Sequence, residues 1–192
     1  MSFLRRTLER ASRHLVFRRR LPARFGHRRL WITPGAALAY YRSFGHRTWN
    51  DLFDFAAHCV RPGDCVWDIG SNLGVFAFAA AQRAGPDGEV LAVEADGWLA
   101  ELTRRSSAAP APGAASVAVL CAAISSDHDL QLFATPGRAR SGSHLASSPG
   151  SGEGLVGRTV ARHPVGTGTR EWLLSRRRKP ESIKIDVEGS EW

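Results

Sequence analysis

The chain has 192 residues, a net charge of +8 and a pI of about 10.6, with 43% hydrophobic and 23% charged residues. That composition is ordinary for a globular protein, and the length suffices for one domain with a real core. No apolar run approaches the roughly 20 residues that a membrane-spanning helix needs. The three cysteines, Cys59, Cys65 and Cys121, are odd in number and lack metal-ligand spacing, so they read as reduced structural thiols of a cytoplasmic protein.

The positive charge is unevenly placed. Residues 1–30 hold Arg5, Arg6, Arg10, Arg13, Arg18, Arg19, Arg20, Arg24, Arg28 and Arg29 against Glu9 alone, and a second cluster is Arg176-Arg177-Arg178-Lys179. Leu4, Leu8, Ala11 and Leu15 recur at helical spacing, which predicts a basic N-terminal helix within a 1–47 extension. Three readings of it stand open: docking on the domain, lying on an anionic membrane surface, or disorder. The stretch lacks the continuous apolar core region of a signal peptide. Nucleic acid is the less favoured partner, since only Phe17 and Phe25 are interleaved with these arginines and no stacking platform results.

Residues 31–47 read as strands or loops. A helix follows over about 48–60, with Leu52, Phe53, Phe55, Ala56 and Val60 available to a core and Thr48 or Asn50 as its cap. Arg61-Pro62-Gly63-Asp64 is a turn, and Val66, Trp67 and Ile69 after it make a short buried strand. From Gly74, Val75-Phe76-Ala77-Phe78 and the alanines after it make an apolar helix that stops at Gly85-Pro86. Residues 70–74 are therefore a strand-to-helix turn whose glycines, Gly70 and Gly74, permit sharp bending or close approach of a ligand, beside a helix N-terminus.

Glu89 to Val93 is a second strand, apolar enough to be buried on both faces as parallel strands are, with Glu94 at its end. Trp98, Leu99 and Leu102 begin a helix, 108–115 is an Ala/Pro linker, and Ser116 to Ile124 is a third strand. Residues 125–168 are Ser/Gly-rich with short β-like pieces at 130–133 and 156–164, which suggests a hairpin-like insertion. A short helix starts at about Glu171, and Ser182 to Val187 is a fourth strand. Strands alternating with helices predict a doubly wound, mostly parallel α/β sheet, giving a domain over 48–192.

Asp68, Glu94 and Asp186 fall at the C-terminal ends of three strands, where open α/β sheets bind their ligands. An acid at the end of the second strand, about 25 residues after the first, suits two ribose hydroxyls. Asp68 beside the turn would repel a pyrophosphate and pair with an ammonium, which favours S-adenosylmethionine over a dinucleotide. The histidines at 46, 58, 128, 144 and 163 show no paired ligand spacing. Asp186 and Glu188 offer the hard oxygens a magnesium-type ion takes, but no metal site is assigned.

VWDIGSNLGVFAF, then VLAVEAD and SIKIDVEGSEW, resemble the FkbM-type methyltransferases, with IKIDVEGSE the most specific stretch. The resemblance covers about residues 64–192 and implies a Rossmann-like domain of the class I methyltransferase type using S-adenosylmethionine. It implies that Asp68, Gly70, Ser71, Asn72 and Gly74 border the methionine end, that Glu94 binds the ribose, and that Ala123 and Ile124 lie near the adenine. Asp186 and Glu188 become the candidates for base or for orienting the acceptor, a hydroxyl of a sugar, lipid or natural product. An RNA acceptor is the less favoured alternative. Where the family has Thr-Leu-Asp, this chain has Thr169-Arg170-Glu171, and it stops at Trp192, shortly after the fourth strand. The expectation is a C-terminally incomplete domain with an open apolar edge, either still active or a non-catalytic, cofactor-binding remnant.

Overall fold

The computed structural model describes residues 15–33, 36, 47–109, 111–124, 130–136, 144–145, 160–168, 173–175 and 177–187. Among these the chain order is β1 (Phe17–Arg20), a 3-10 turn (Ala23–Phe25), β2 (Arg29–Ile32), α1 (Arg47–Cys59), β3 (Cys65–Ile69), α2 (Val75–Ala84), β4 (Glu89–Glu94), α3 (Gly97–Ser107), β5 (Ser116–Cys121), β6 (Ala123–Ile124), β7 (Leu130–Pro136), β8 (His144–Leu145), β9 (Val160–Gly168) and β10 (Ser182–Ile185).

The central sheet has the order β10-β3-β4-β5 with every neighbouring pair parallel. The chain runs β3, β4, β5 outward through α2 and α3, then returns to pair β10 on the far side of β3. Strand order therefore reverses between β3 and β10, and open α/β sheets bind ligands outside the carboxyl ends of the strands at such a point. Val66, Val90 and Ala92 point to one face, where α2, α3 and residues of α1 and the N-terminal segment close the larger core. Cys65, Trp67, Ile69, Leu91 and Val93 point to the other face and meet Leu173 and Leu174. β3 is buried along its whole length and β4 is buried from Val90 onward, as expected for parallel strands covered on both faces. β10 is the sheet's edge, where Ile183 and Ile185 stand 44% and 57% exposed.

Four expectations are corrected. The basic helix does not extend through residues 15–30, which fold instead as the antiparallel ribbon β1–β2. Pro22 and the left-handed Gly26 (φ 71°) and His27 (φ 51°) interrupt any helical run, and Leu30 and Ile32 alternate inward as strand residues do. This ribbon is part of the domain core: Leu21, Phe25, Leu30 and Ile32 are all buried in the larger cluster. Residues 1–14, the rest of that helix, lie outside the described residues. α1 begins at Arg47, so Thr48 and Asn50 both lie inside its first turn and neither is its cap. The third strand ends at Cys121, since β4 offers no partner beyond Glu94; after Ala122, Ala123–Ile124 join the second sheet, of order β6-β9-β7-β8. The fourth strand ends at Ile185, two residues early. The insertion does contain the expected hairpin, with β7 antiparallel to β9.

Candidate functional site

The turn between β3 and α2 is built from left-handed residues. Gly70 (φ 74°), Asn72 (φ 52°) and Gly74 (φ 73°) all occupy that region. At Gly70 a Cβ would also collide with the carbonyl oxygen of Asp186, so glycine lets β10 close against the turn. The Asp186 amide completes this contact by donating to the carbonyl of Ile69 at 3.0 Å.

Four of the turn's amides are used within the protein. Those of Gly70 and Ser71 both donate to the carbonyl of Val93 at 2.9 Å, and that of Gly74 donates to Ser71 at 2.8 Å. The amide of Asn72 donates to Glu94 Oε2 at 2.7 Å, while Glu94 Oε1 accepts the amide of Asp96 at 2.8 Å. From α3, Thr103 Oγ1 donates to the carbonyl of Asn72 at 3.0 Å. Two polar atoms of the turn, Ser71 Oγ and Asn72 Oδ1, are buried without a hydrogen-bond partner among the described residues. Buried orphan groups are costly, and each calls for an explanation.

Glu94 is 8% exposed, and burial pushes its carboxyl up to about 7, against the downward pull of the Asp96 and Asn72 amides. Because β4 pairs with β5, Cys121 lies opposite Glu94, and the Ala122 amide donates to the Glu94 carbonyl at 3.1 Å. Ala122 and Ala123 are buried, and Ile124 packs against the smaller core. The part of this segment beside Glu94 is thus Ala122, with Ala123 and Ile124 leading away into the second sheet.

Asp68 differs from its sequence reading. It is the second-last residue of β3 and is fully buried. Its Oδ2 accepts the amide of Ala77 at 3.1 Å in the first turn of α2, and its Oδ1 takes the ammonium of Lys184 at 3.0 Å. Burial pushes its carboxyl up and Lys184 draws it back. Asp68 therefore caps a helix and already has an ammonium partner within the protein. It is not free to pair with a ligand's.

Lys184 is the member that sequence reasoning passed over. It also donates to the carbonyl of Gly70 at 3.2 Å and lies 3.6 Å from Asp186 Oδ2. Burial lowers its pKa, but Asp68 and Asp186 outweigh that and hold it above the ordinary lysine value. The signal was present: a lysine between two isoleucines in a strand asks for a buried acid on the neighbouring strand, and Asp68 is the register partner of Lys184. Asp96 was missed too. Its Oδ1 accepts the amides of Trp98 and Leu99, which makes it the N-cap of α3.

The structure therefore brings Gly70, Ser71, Asn72, Gly74, Glu94 and Asp186 to one end of the sheet, with Asp186 75% exposed at its side chain. Glu188 lies outside the described residues. No cluster of three His, Cys, Asp or Glu placed for a metal ion occurs among the described residues. No family model matches the chain, and no curated protein matches it. The fold itself defines an α/β protein with a four-stranded parallel sheet flanked by helices, an arrangement compatible with the Rossmann-like class. Among the described residues, no helix is long and apolar enough to cross a membrane.

Proposed function

We propose that the chain is an S-adenosylmethionine-dependent methyltransferase of the class I, Rossmann-like type, acting on a hydroxyl oxygen. The observation that carries this reading is the switch-point turn, with Ser71 Oγ and Asn72 Oδ1 left without partners among the described residues and the Glu94 carboxylate beside it. The charge of Asp68 is already matched by Lys184, so it carries no part of this reading.

The residues fit the group. In this reading Ser71 and Asn72 border the methionine portion, and Glu94 takes the ribose hydroxyls on its remaining lone pairs. Ala122, next to Glu94, is the apolar residue that would border the adenine side. When bound, S-adenosylmethionine supplies a methyl group activated on a sulfonium. Asp186, exposed beside the turn, orients the acceptor hydroxyl and takes its proton. The acceptor class is a sugar, lipid or natural-product hydroxyl, a reading that rests on the FkbM resemblance. Three free thiols, Cys59, Cys65 and Cys121, support a cytoplasmic setting.

Calorimetric titration of S-adenosylhomocysteine into the full chain tests the proposal, with Glu94→Gln as comparison. Loss of the ribose hydrogen bonds weakens binding by about 1–3 kcal/mol, or roughly 5- to 150-fold. The second reading makes Glu94 a structural cap only, since each of its oxygens already accepts an amide. In that case the folded protein binds no S-adenosylhomocysteine, Glu94→Gln lowers only the melting temperature, and the chain is a non-catalytic protein.

A further inference from the structure

β10 presents its side chains in an order that burial of apolar surface does not explain. Ile183 and Ile185 are exposed, while Lys184 between them is turned inward with 12% of its side chain exposed. An ammonium has three N–H donors. Here it meets three oxygens from three parts of the site: Asp68 Oδ1 of β3 at 3.0 Å, the Gly70 carbonyl of the turn at 3.2 Å, and Asp186 Oδ2 after β10 at 3.6 Å. The first two are hydrogen bonds and the third is an ion pair.

Neutralising Asp68 requires only the first contact. The other two join the turn after β3 to the acid after β10, across the point where strand order reverses. Gly70 is also where the backbone of Asp186 comes closest to the turn. We propose that Lys184 is a positioning residue: with buried Asp68 as its counter-ion, it fixes the Gly70 carbonyl and the Asp186 carboxylate relative to each other. What it positions rests on the methyltransferase reading, whereas the mechanical link is a property of this chain alone.

Lys184→Met by itself would leave Asp68 buried without its counter-ion, so the informative comparison removes the charges together. Asp68→Asn keeps Lys184 on Gly70 and Asp186. Asp68→Asn/Lys184→Met removes the link. Two readouts are taken on the full chain, amide hydrogen exchange at residues 70–72 and affinity for S-adenosylhomocysteine. The double variant exchanges about tenfold faster in the turn than Asp68→Asn and binds about tenfold more weakly, at a similar melting temperature, as loss of hydrogen bonds from a charged donor predicts. Equal exchange and equal affinity in the two variants overturn the proposal, and Lys184 is then only the counter-ion of Asp68. If the double variant does not fold, the exposed Asp186→Asn decides: exchange about two- to threefold faster at residues 70–72 supports the link, and unchanged exchange overturns it. If the native chain binds no S-adenosylhomocysteine, the methyltransferase reading fails, and the exchange comparison still decides the role of Lys184.

Discussion

Glu94 carries two opposite pH dependences. Its folded pKa of about 7 lies above the ordinary carboxylate value of 4.5, because burial penalises the charge. The folded state therefore holds this proton more tightly than the unfolded chain does. The resulting stability is fully present below about pH 4.5 and is lost as pH rises through about 7. Between those values the melting temperature of Glu94→Gln should change less with pH than that of the native chain. Binding runs the other way: the ionised carboxylate is the better acceptor for ribose hydroxyls, so affinity for S-adenosylhomocysteine should rise as pH increases through about 7. Calorimetry at pH 6 and pH 8 measures this directly, and an affinity that falls over that range would remove Glu94 from the ribose site. The position of Glu94 at a strand end was legible in VLAVEAD because a nearly continuous apolar run needs no tertiary information to read as a parallel strand. Its grip on the Asn72 amide was not, since the two residues meet only when β4 lies beside β3.

At the scale of elements, the turn separates two costs that sequence merges under the letter G. Gly113 has φ 74° with open space around its missing Cβ, while Gly70 has the same φ and the Asp186 carbonyl in the way. Gly113→Ala should cost about 1 kcal/mol, from left-handed strain alone. Gly70→Ala should cost about 2–4 kcal/mol, because β10 must move as well. Thermal melting of the two variants checks this, and equal shifts would show that the contact between the turn and β10 is soft. The end of α3 gives a second case. Arg28, buried and lowered in pKa by that burial, donates to the carbonyls of Ser106, Ser107 and Ala109 and lies 4.6 Å from the ring of Phe78. Arg28→Met leaves those carbonyls unpaired and should destabilise by about 2 kcal/mol or more, read in the denaturation midpoint. In the sequence Arg28 is one of ten arginines in thirty residues, and nothing local distinguishes it.

For the molecule as a whole, residues 21–32, ahead of the first helix, are part of the core. Phe25 stacks on Phe53 of α1 with ring centroids 5.0 Å apart, and Leu21, Leu30 and Ile32 share the same cluster. Phe25→Ala should therefore cost about 3–5 kcal/mol, as truncation of a buried core aromatic does. A surface-docked extension would instead lose less than about 1 kcal/mol, and urea unfolding distinguishes the two. The outward side of the ribbon stays basic, with Arg20 directly opposite Arg29 and Arg18 lying 4.2 Å over Trp31.

What the amino-acid order determined by itself is the local grammar. β3, the turn, α2, β4, α3 and β10 are legible because each follows from a short-range rule: apolar runs, glycine at positive φ, a Pro-Asp-Gly stop. Hence the parallel sheet and the glycine turn were within reach. Only the tertiary structure decided who uses each charge. Asp68 reads as an open ligand acid until Lys184, far along the chain, pairs with it across β3 and β10. The arginine-rich start reads as a helix until the core offers Leu30 and Ile32 a place as strand residues. The physical reason is common to both: burial energy and ion pairing depend on neighbours that are close in space, whereas turns and periodicities depend on neighbours that are close in sequence.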